Sequence, residues 1–370
     1  SGRAVNSCKG WLMFGRRFFI GLLTAALLAG GVYHWRGELS MALVQKVMAQ
    51  RFADKPLQAL PDGLHVGLCG SGSPFPDPKR GQPCTLVIAG KRLFVFDTGS
   101  TASNNINRMG FDMGSIDAVF LTHFHSDHIG GLGEVMLNRW VAGANTSPLP
   151  VYGPIGVKPI VEGFMQAYYQ DHLYRIAHHG EQIIPPAGFG GSPITFGTPG
   201  PEQRVRIIDE PELTIEAFSV NHSPIEPAVG YRVRYKDRSL VISGDTRQSP
   251  AILREAQGVD LLIHEALASD MVQSMSTWAA AAGRSNLAQI FIDIQNYHTT
   301  PEQAAQTARE AGVGYLLLTH IVPPLPLPGL SQAFLGDAPE IFNGTLRIGE
   351  DGDFLSLPAG SDAITLGNRL

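Results

Sequence analysis

The stretch "LTHFHSDHIGGL", Leu121–Leu132, places three histidines and one aspartate within six residues. The apolar run Ile116–Leu121 leads into it, and a pair of glycines follows. Titratable groups crowded at the end of an apolar strand point to a metal site. His123 and His125 stand two apart on an extended segment, so their side chains point the same way. Asp127 and His128 come after the chain turns and can face a second metal. Gly130 and Gly131 relieve crowding where the backbone enters the next element.

The pattern recurs further along. His222 follows "AFSV", Asp245 follows "LVISG" and His320 follows "YLLLT". Buried strands that deliver imidazoles and carboxylates to one rim build a metal centre. Zinc takes histidine nitrogen and carboxylate oxygen, and a catalytic site keeps one position open for water. Two metals that share an aspartate can clamp both the attacking and the leaving oxygen. His65, His172, His178 and His179 lack such company and read as ordinary core or surface residues.

Around these points lie short β-like runs divided by Gly/Pro-rich turns, among them "LHVGLCG", "TLVIAG" and "RLFVFDTG". "VDLLIHEA" and "VGYLLLTH" read as buried strands that end in histidine-bearing loops. "TPEQAAQTAREAG" (Thr300–Gly312) carries helix signals: Thr300 as N-cap, Pro301 in the first turn and Gly312 past the end. The stretch Gln182–Pro201 is rich in Gly and Pro, has no Lys or Arg, and reads as a loop. The whole suggests an α/β sheet sandwich with helices outside. The 370 residues, 44% hydrophobic and 16% charged, suit a large core. A net charge of −5 supplies no global basic field for nucleic acid.

The N-terminus differs. Arg16 and Arg17 precede the uncharged run Phe18–Tyr33, which His34 and Trp35 can extend at an interface. This predicts a membrane anchor over 18–35, after a short segment 1–17 and before a juxtamembrane helix and linker over 36–62. The catalytic domain would occupy 63–370, outside the cytoplasm (periplasmic) by the positive-inside rule. A cleaved signal shows the same pattern, although no A-x-A site follows it. In the exported reading Cys69 and Cys84 are an even pair in an oxidising compartment, with two ordinary buried thiols as the alternative.

"THFHSDHIGG" resembles the signature of the metallo-β-lactamase fold superfamily, and the resemblance extends from about Leu64 to His320. It implies an αβ/βα four-layer sandwich with a di-metal site of two zinc ions, or of manganese or iron. The first metal would take His123, His125 and His222, and the second Asp127, His128 and His320. Asp245 would bridge them, with a hydroxide between the metals. "FDTG" (Phe96–Gly99) resembles the motif whose aspartate, here Asp97, braces the site. "IHEAL" (Ile263–Leu267), "YHTTPEQ" and "GSGSPFPDPKRGQPCTLV" resemble the tRNase Z (ribonuclease Z) branch. That kinship implies a general-acid dyad of Glu265 and His298, with Asp127 the third catalytic carboxylate or imidazole. A carboxylate beside an imidazole fixes its tautomer for proton donation.

Two departures bear on the substrate. His320 is followed by "IVPPLPLPG" in place of the branch's Ser-Arg-Tyr element, and the Gly/Pro stretch carries no cation to grip phosphates. The expectation is therefore a phosphodiester or sulfate ester hydrolase, with β-lactam or lactone hydrolysis as the alternative. The partner would be a small-molecule ester and not nucleic acid. "MVQSMSTWAAAAGRSNLAQIFIDI" could line the pocket, form a homodimer contact or touch the membrane.

Overall fold

The computed structural model describes the backbone of residues 5–370 and the side chains of residues 18, 21, 22 and 30–370. The chain divides into an N-terminal unit that ends at Lys55 and a second unit, Pro56–Leu370. The first unit is one continuous helix, Val5–Ala53. The expected membrane anchor over 18–35 is overturned: among the described residues no helix is long and apolar enough to cross a membrane. The physical reason lies in length. The uncharged run stops short of the ~20 residues that span a bilayer, and the same helix continues through Arg36, Glu38, Lys46 and Arg51. Cys8 and the rest of residues 1–17 lie outside the described side chains.

The second unit holds two sheets. The first joins β1 (Gly63–Gly70), β2 (Cys84–Ala89), β3 (Arg92–Phe96), β4 (Ile116–Phe120), β5 (Leu149–Gly153) and β6 (Gly191–Thr195). The second runs through β7 (Arg204–Asp209), β8 (Leu213–Ser219), β9 (Val229–Tyr235), β10 (Arg238–Ile242), β11 (Leu261–Leu267), β12 (Tyr315–Val322) and β13 (Thr345–Ile348). Then β14 (Asp353–Pro358) and β15 (Thr365–Asn368) return to the first sheet beside β1. β6 falls inside the stretch expected to be a loop. Its sequence, "GSPIT", opens on Gly, Ser and Pro, which read as turn residues and are depleted in most strands.

Strand periodicity explains the layering. On β3, Phe94 and Phe96 face the core between the sheets, whereas Leu93 and Val95 face the opposite way, towards the helices Ala102–Arg108 and Leu132–Gly143. On β11, Leu261 and Ile263 point inward and Leu262 outward, to the helices Pro250–Ala256 and Pro301–Ala311. Strands buried on both faces read as unbroken apolar runs because each face has its own partner. The result is helix, sheet, sheet, helix. The helix Pro301–Ala311 begins with a capping box between Thr300 and Gln303, and Gly312 ends it in a left-handed conformation, as its sequence signals.

Between the sheets, Phe96 stacks on Phe120 at 4.9 Å, and Tyr231 packs edge-on against both rings. The Tyr231 hydroxyl donates to the Leu121 carbonyl at 2.6 Å. That bond ties the second sheet to the residue where the histidine motif begins.

Cys69 and Cys84 form a disulfide with Cα atoms 4.9 Å apart. It closes the loop between β1 and β2, which Asp351 pins from outside by accepting from Ser71 N and Gly81 N at 2.9 and 2.8 Å. A cross-link over 15 residues is worth roughly 3 kcal/mol in the chain-entropy model. The Cys69→Ser/Cys84→Ser pair should lose about that much stability in denaturant titrations. Denatured, unreduced protein should show one free thiol, and a count of three would refute the bridge.

Candidate metal centre

The site lies at the rim where strands of both sheets end. The segment after β4 supplies His123, His125, Asp127 and His128. His222 follows β8 and Asp245 follows β10. His320 lies within β12 at a bulge: Glu265 pairs with Thr319 and Ala266 with Ile321, so His320 is the extra residue. Its φ of 48° is left-handed. Such a bulge re-aims one side chain without ending the strand, and here it turns the imidazole into the site.

Two groups of donors converge. His123, His125, His222 and Asp245 each offer an atom within 4.8 Å of the others, and so do Asp127, His128 and His320. Asp245 Oδ2 stands between the groups. It is 3.3 Å from Nε2 of both His128 and His320, 3.8 Å from Nε2 of His123 and 3.9 Å from Nε2 of His222. Asp127 Oδ2 is 3.3 Å from His320 Nε2.

Outer contacts orient several imidazoles by Nδ1, leaving Nε2 to face inward. Asp97 accepts from His128 Nδ1 at 2.8 Å, and from the amide and hydroxyl of Thr122, each at 2.8 Å. Thr122 Oγ1 lies 3.0 Å from His123 Nδ1. His222 Nδ1 donates to the Tyr297 carbonyl at 2.9 Å. Asp97 itself has a φ of 57°, a cost tolerated when the surroundings over-determine a conformation. Thr122 is a residue that sequence reasoning missed. Its one signal was a hydroxyl placed between the strand and the first histidine.

The donor set fits divalent cations. His123 Nε2 and His125 Nδ1 lie 3.0 Å apart, and His222 Nε2 is 3.5 Å from the same Nδ1. Such crowding of lone pairs asks for a shared cation. His128 Nε2 is buried and makes no hydrogen bond. All seven groups are imidazoles or carboxylates, which suits zinc and its neighbours among the divalent metals.

The protein groups alone set an uneven proton balance. Burial opposes a charge on His320, yet Asp245 and Asp127 outweigh it and raise its pKa to about 9. His128 is raised in the same way against its burial, by Asp245, Asp97 and Asp127. Burial pushes His222 down to about 4 and His123 well below its usual range. At neutral pH the metal-free protein therefore holds protons on His128 and His320, which a metal must displace. Zinc titrated into metal-free protein near pH 7.5 should release two or more protons per chain, two from these imidazoles and any further one from a water that the ions acidify. Calorimetry in buffers of different ionisation enthalpy reads this number; heats independent of the buffer would contradict the assignment.

Glu265 and His298 stand beside the cluster. His298 Nδ1 is 3.0 Å from Glu265 Oε1, which also accepts from Thr299 N at 3.0 Å and Thr246 N at 3.2 Å. Glu265 thus stitches together the loops that carry Asp245 and His298. His298 also falls within reach of a third grouping, with Asp245 and His320.

Two stacked sheets with donors for two cations at one rim define a metal-dependent hydrolase. Comparison with known proteins agrees. The family described as "Beta-lactamase superfamily domain" matches residues 92–321. The chain is 36% identical over 292 residues to the ribonuclease Z of Mycobacterium bovis, covering 78% of this chain and 96% of that one. It is 35% identical over 290 residues to the ribonuclease Z of Mycolicibacterium gilvum, covering 78% and 94%. Human tRNase Z, short form, shares the fold with a TM-score of 0.57 at 22% identity, over 80% of this chain and 99% of that one. The chain belongs to the ribonuclease Z family of the β-lactamase superfamily.

Two expectations fall here. The relatives are named ribonucleases, which overturns the small-molecule ester as partner and the exclusion of nucleic acid. The inference failed because the charge of one loop does not measure the field elsewhere on a surface. With no helix long and apolar enough to cross a membrane among the described residues, the membrane-anchored periplasmic placement falls too.

Proposed function

We propose that this chain is a di-zinc phosphodiesterase that cleaves RNA, with Glu265 and His298 as its general-acid dyad. The observation that carries the reading is Asp245 Oδ2, placed within 3.9 Å of four imidazole nitrogens from both donor groups. His123, His125 and His222 would hold one ion, Asp127, His128 and His320 the other, with Asp245 shared. Bound there, two ions would supply charge stabilisation for the phosphoryl oxygens and a water acidic enough to attack at neutral pH. Asp97 and Thr122 keep the imidazoles aimed. Glu265 accepts from His298 Nδ1, so when the imidazole carries both protons the one on Nε2 is left for the leaving oxygen, and the imidazole that remains keeps its Nδ1 proton on Glu265. The ribonuclease Z relatives support phosphodiester chemistry over sulfate ester or lactam cleavage.

The test is an activity panel on zinc-loaded protein: a precursor tRNA with a 3′ trailer, bis-p-nitrophenyl phosphate, an aryl sulfate and a cephalosporin. RNA and phosphodiester cleavage abolished by chelators supports the proposal. An active enzyme that contains no metal and ignores chelators sinks it.

A further inference from the structure

Beside the donor cluster opens a cavity of about 400 Å³. Its floor is the metal-ligand cluster with His298. Its opposite wall is apolar: Phe75 from the β1–β2 loop, Leu287 and Ile290 from the helix Ser285–Asp293, then Ile294 and Val322. Leu287, Ile290 and Ile294 recur at helical spacing, so one helix face is turned to the cavity. That face is backed by a small core of its own, in which Phe75 packs on Phe291 at 5.7 Å between ring centroids. The loop that carries Phe75 is closed by the disulfide and pinned by Asp351. The wall is therefore a built surface on fixed supports.

Among the described residues, no lysine or arginine lines this cavity. A second phosphate next to the reacting one would find no cation there, although phosphate binding depends on cations. An apolar wall facing a phosphoryl-transfer floor suits a substrate whose phosphate carries a flat, uncharged group. In the nucleic acid read in the preceding subsection, on which this step rests, that group is the base of the nucleotide flanking the scissile phosphate.

We propose that Phe75, Leu287, Ile290 and Ile294 form a base-holding subsite, which grips the ring flanking the scissile bond by apolar contact. The side chains of Phe75, Leu287, Ile290, Ile294 and Val322 carry no hydrogen-bonding group, so the subsite tolerates any base. Apolar and stacking contacts depend on ring faces, which every base presents, and not on edge patterns.

The experiment measures binding by calorimetry to zinc-loaded protein, with phosphate monoesters as probes. Thymidine 5′-monophosphate against 2-deoxyribose 5-phosphate isolates the base. Phenyl phosphate against methyl phosphate isolates a bare ring. Each ring-bearing probe should bind about tenfold tighter than its partner, in the range that base contacts with side chains supply. Ile290 is 47% exposed, so Ile290→Asn can be made without opening the core. It should bring both ratios close to one, and Ile290→Phe should keep or raise them. Equal binding within each pair overturns the subsite. So does a preference for thymidine without one for phenyl, since recognition would then lie in sugar or base edge. Ratios unchanged in Ile290→Asn overturn it as well. A protein that prefers rings but cleaves no phosphodiester would leave the subsite standing and refute the reaction instead. Cleavage without ring preference does the reverse.

Discussion

Replacing Asp245 with alanine should empty both metal positions at once and reduce phosphodiester turnover by at least about 10⁴-fold, because ions that generate the nucleophile and stabilise charge supply most of the rate. Among the described residues no other side chain has this reach. His222 approaches only the first donor group and His320 only the second, apart from their contacts with Asp245. Their alanine variants should each lose one ion and keep the other. The contrast is read by metal analysis of dialysed protein, with circular dichroism to confirm that the sandwich is intact. Some stability should be lost as well. In metal-free protein Asp245 is a buried carboxylate, held well below its usual range by His320 and His128 against the cost of its burial. Removing it leaves those two imidazoles buried without their carboxylate partner. An Asp245→Ala protein that retains two ions would show that the carboxylate is not shared.

His298→Ala should keep full metal content and lose roughly 10²–10⁴-fold in turnover, the usual worth of acid–base catalysis. The loss should shrink for a p-nitrophenyl ester, whose leaving group departs without a proton. Glu265→Gln should be milder. The amide oxygen can still accept from Thr246 N, Thr299 N and His298 Nδ1, so the loops stay joined while the negative charge is lost. The double variant should be little worse than His298→Ala, because groups that act as one unit are not additive. The rival role is set by the geometry that brings His298 near Asp245 and His320. If His298→Ala sheds an ion, or slows good and poor leaving groups alike, His298 is a ligand and the dyad is wrong.

The donors were legible because each ends an apolar run, and a buried strand that stops at an imidazole leaves few other readings. His123, His125, Asp127 and His128 could be grouped from spacing alone. What drew His222, Asp245 and His320 to them was strand order across two sheets, which local pattern does not contain. The bulge at His320 was invisible: "YLLLTHIV" reads as an unbroken strand, and its left-handed residue is no glycine. β6 was hidden by Gly, Ser and Pro in a strand that pairs only with β5. The segment over 18–35 misled because flanking arginines and an apolar run mark a membrane helix and an apolar stretch inside a longer, charge-bearing helix alike. The base-holding wall was half visible, as an apolar stretch before His298. Phe75 lies 216 residues before its ring partner Phe291 and joins that stretch only in the fold.

The donor atoms come from both layers of the sandwich. His123, His125, Asp127 and His128 follow a strand of the first sheet, while His222, Asp245 and His320 belong to the second. An ion held by either proposed set would act as a rivet between the layers, and no single sheet, or hairpin cut from one, can assemble a full set of these ligands. Metal affinity and folding free energy become linked quantities, as they are wherever ligands meet only in the native state. Each tenfold rise in free metal above the dissociation constant of one site adds about 1.4 kcal/mol to the stability of the whole domain. With both sets filled, metal supply would set the lifetime of this protein as well as its activity.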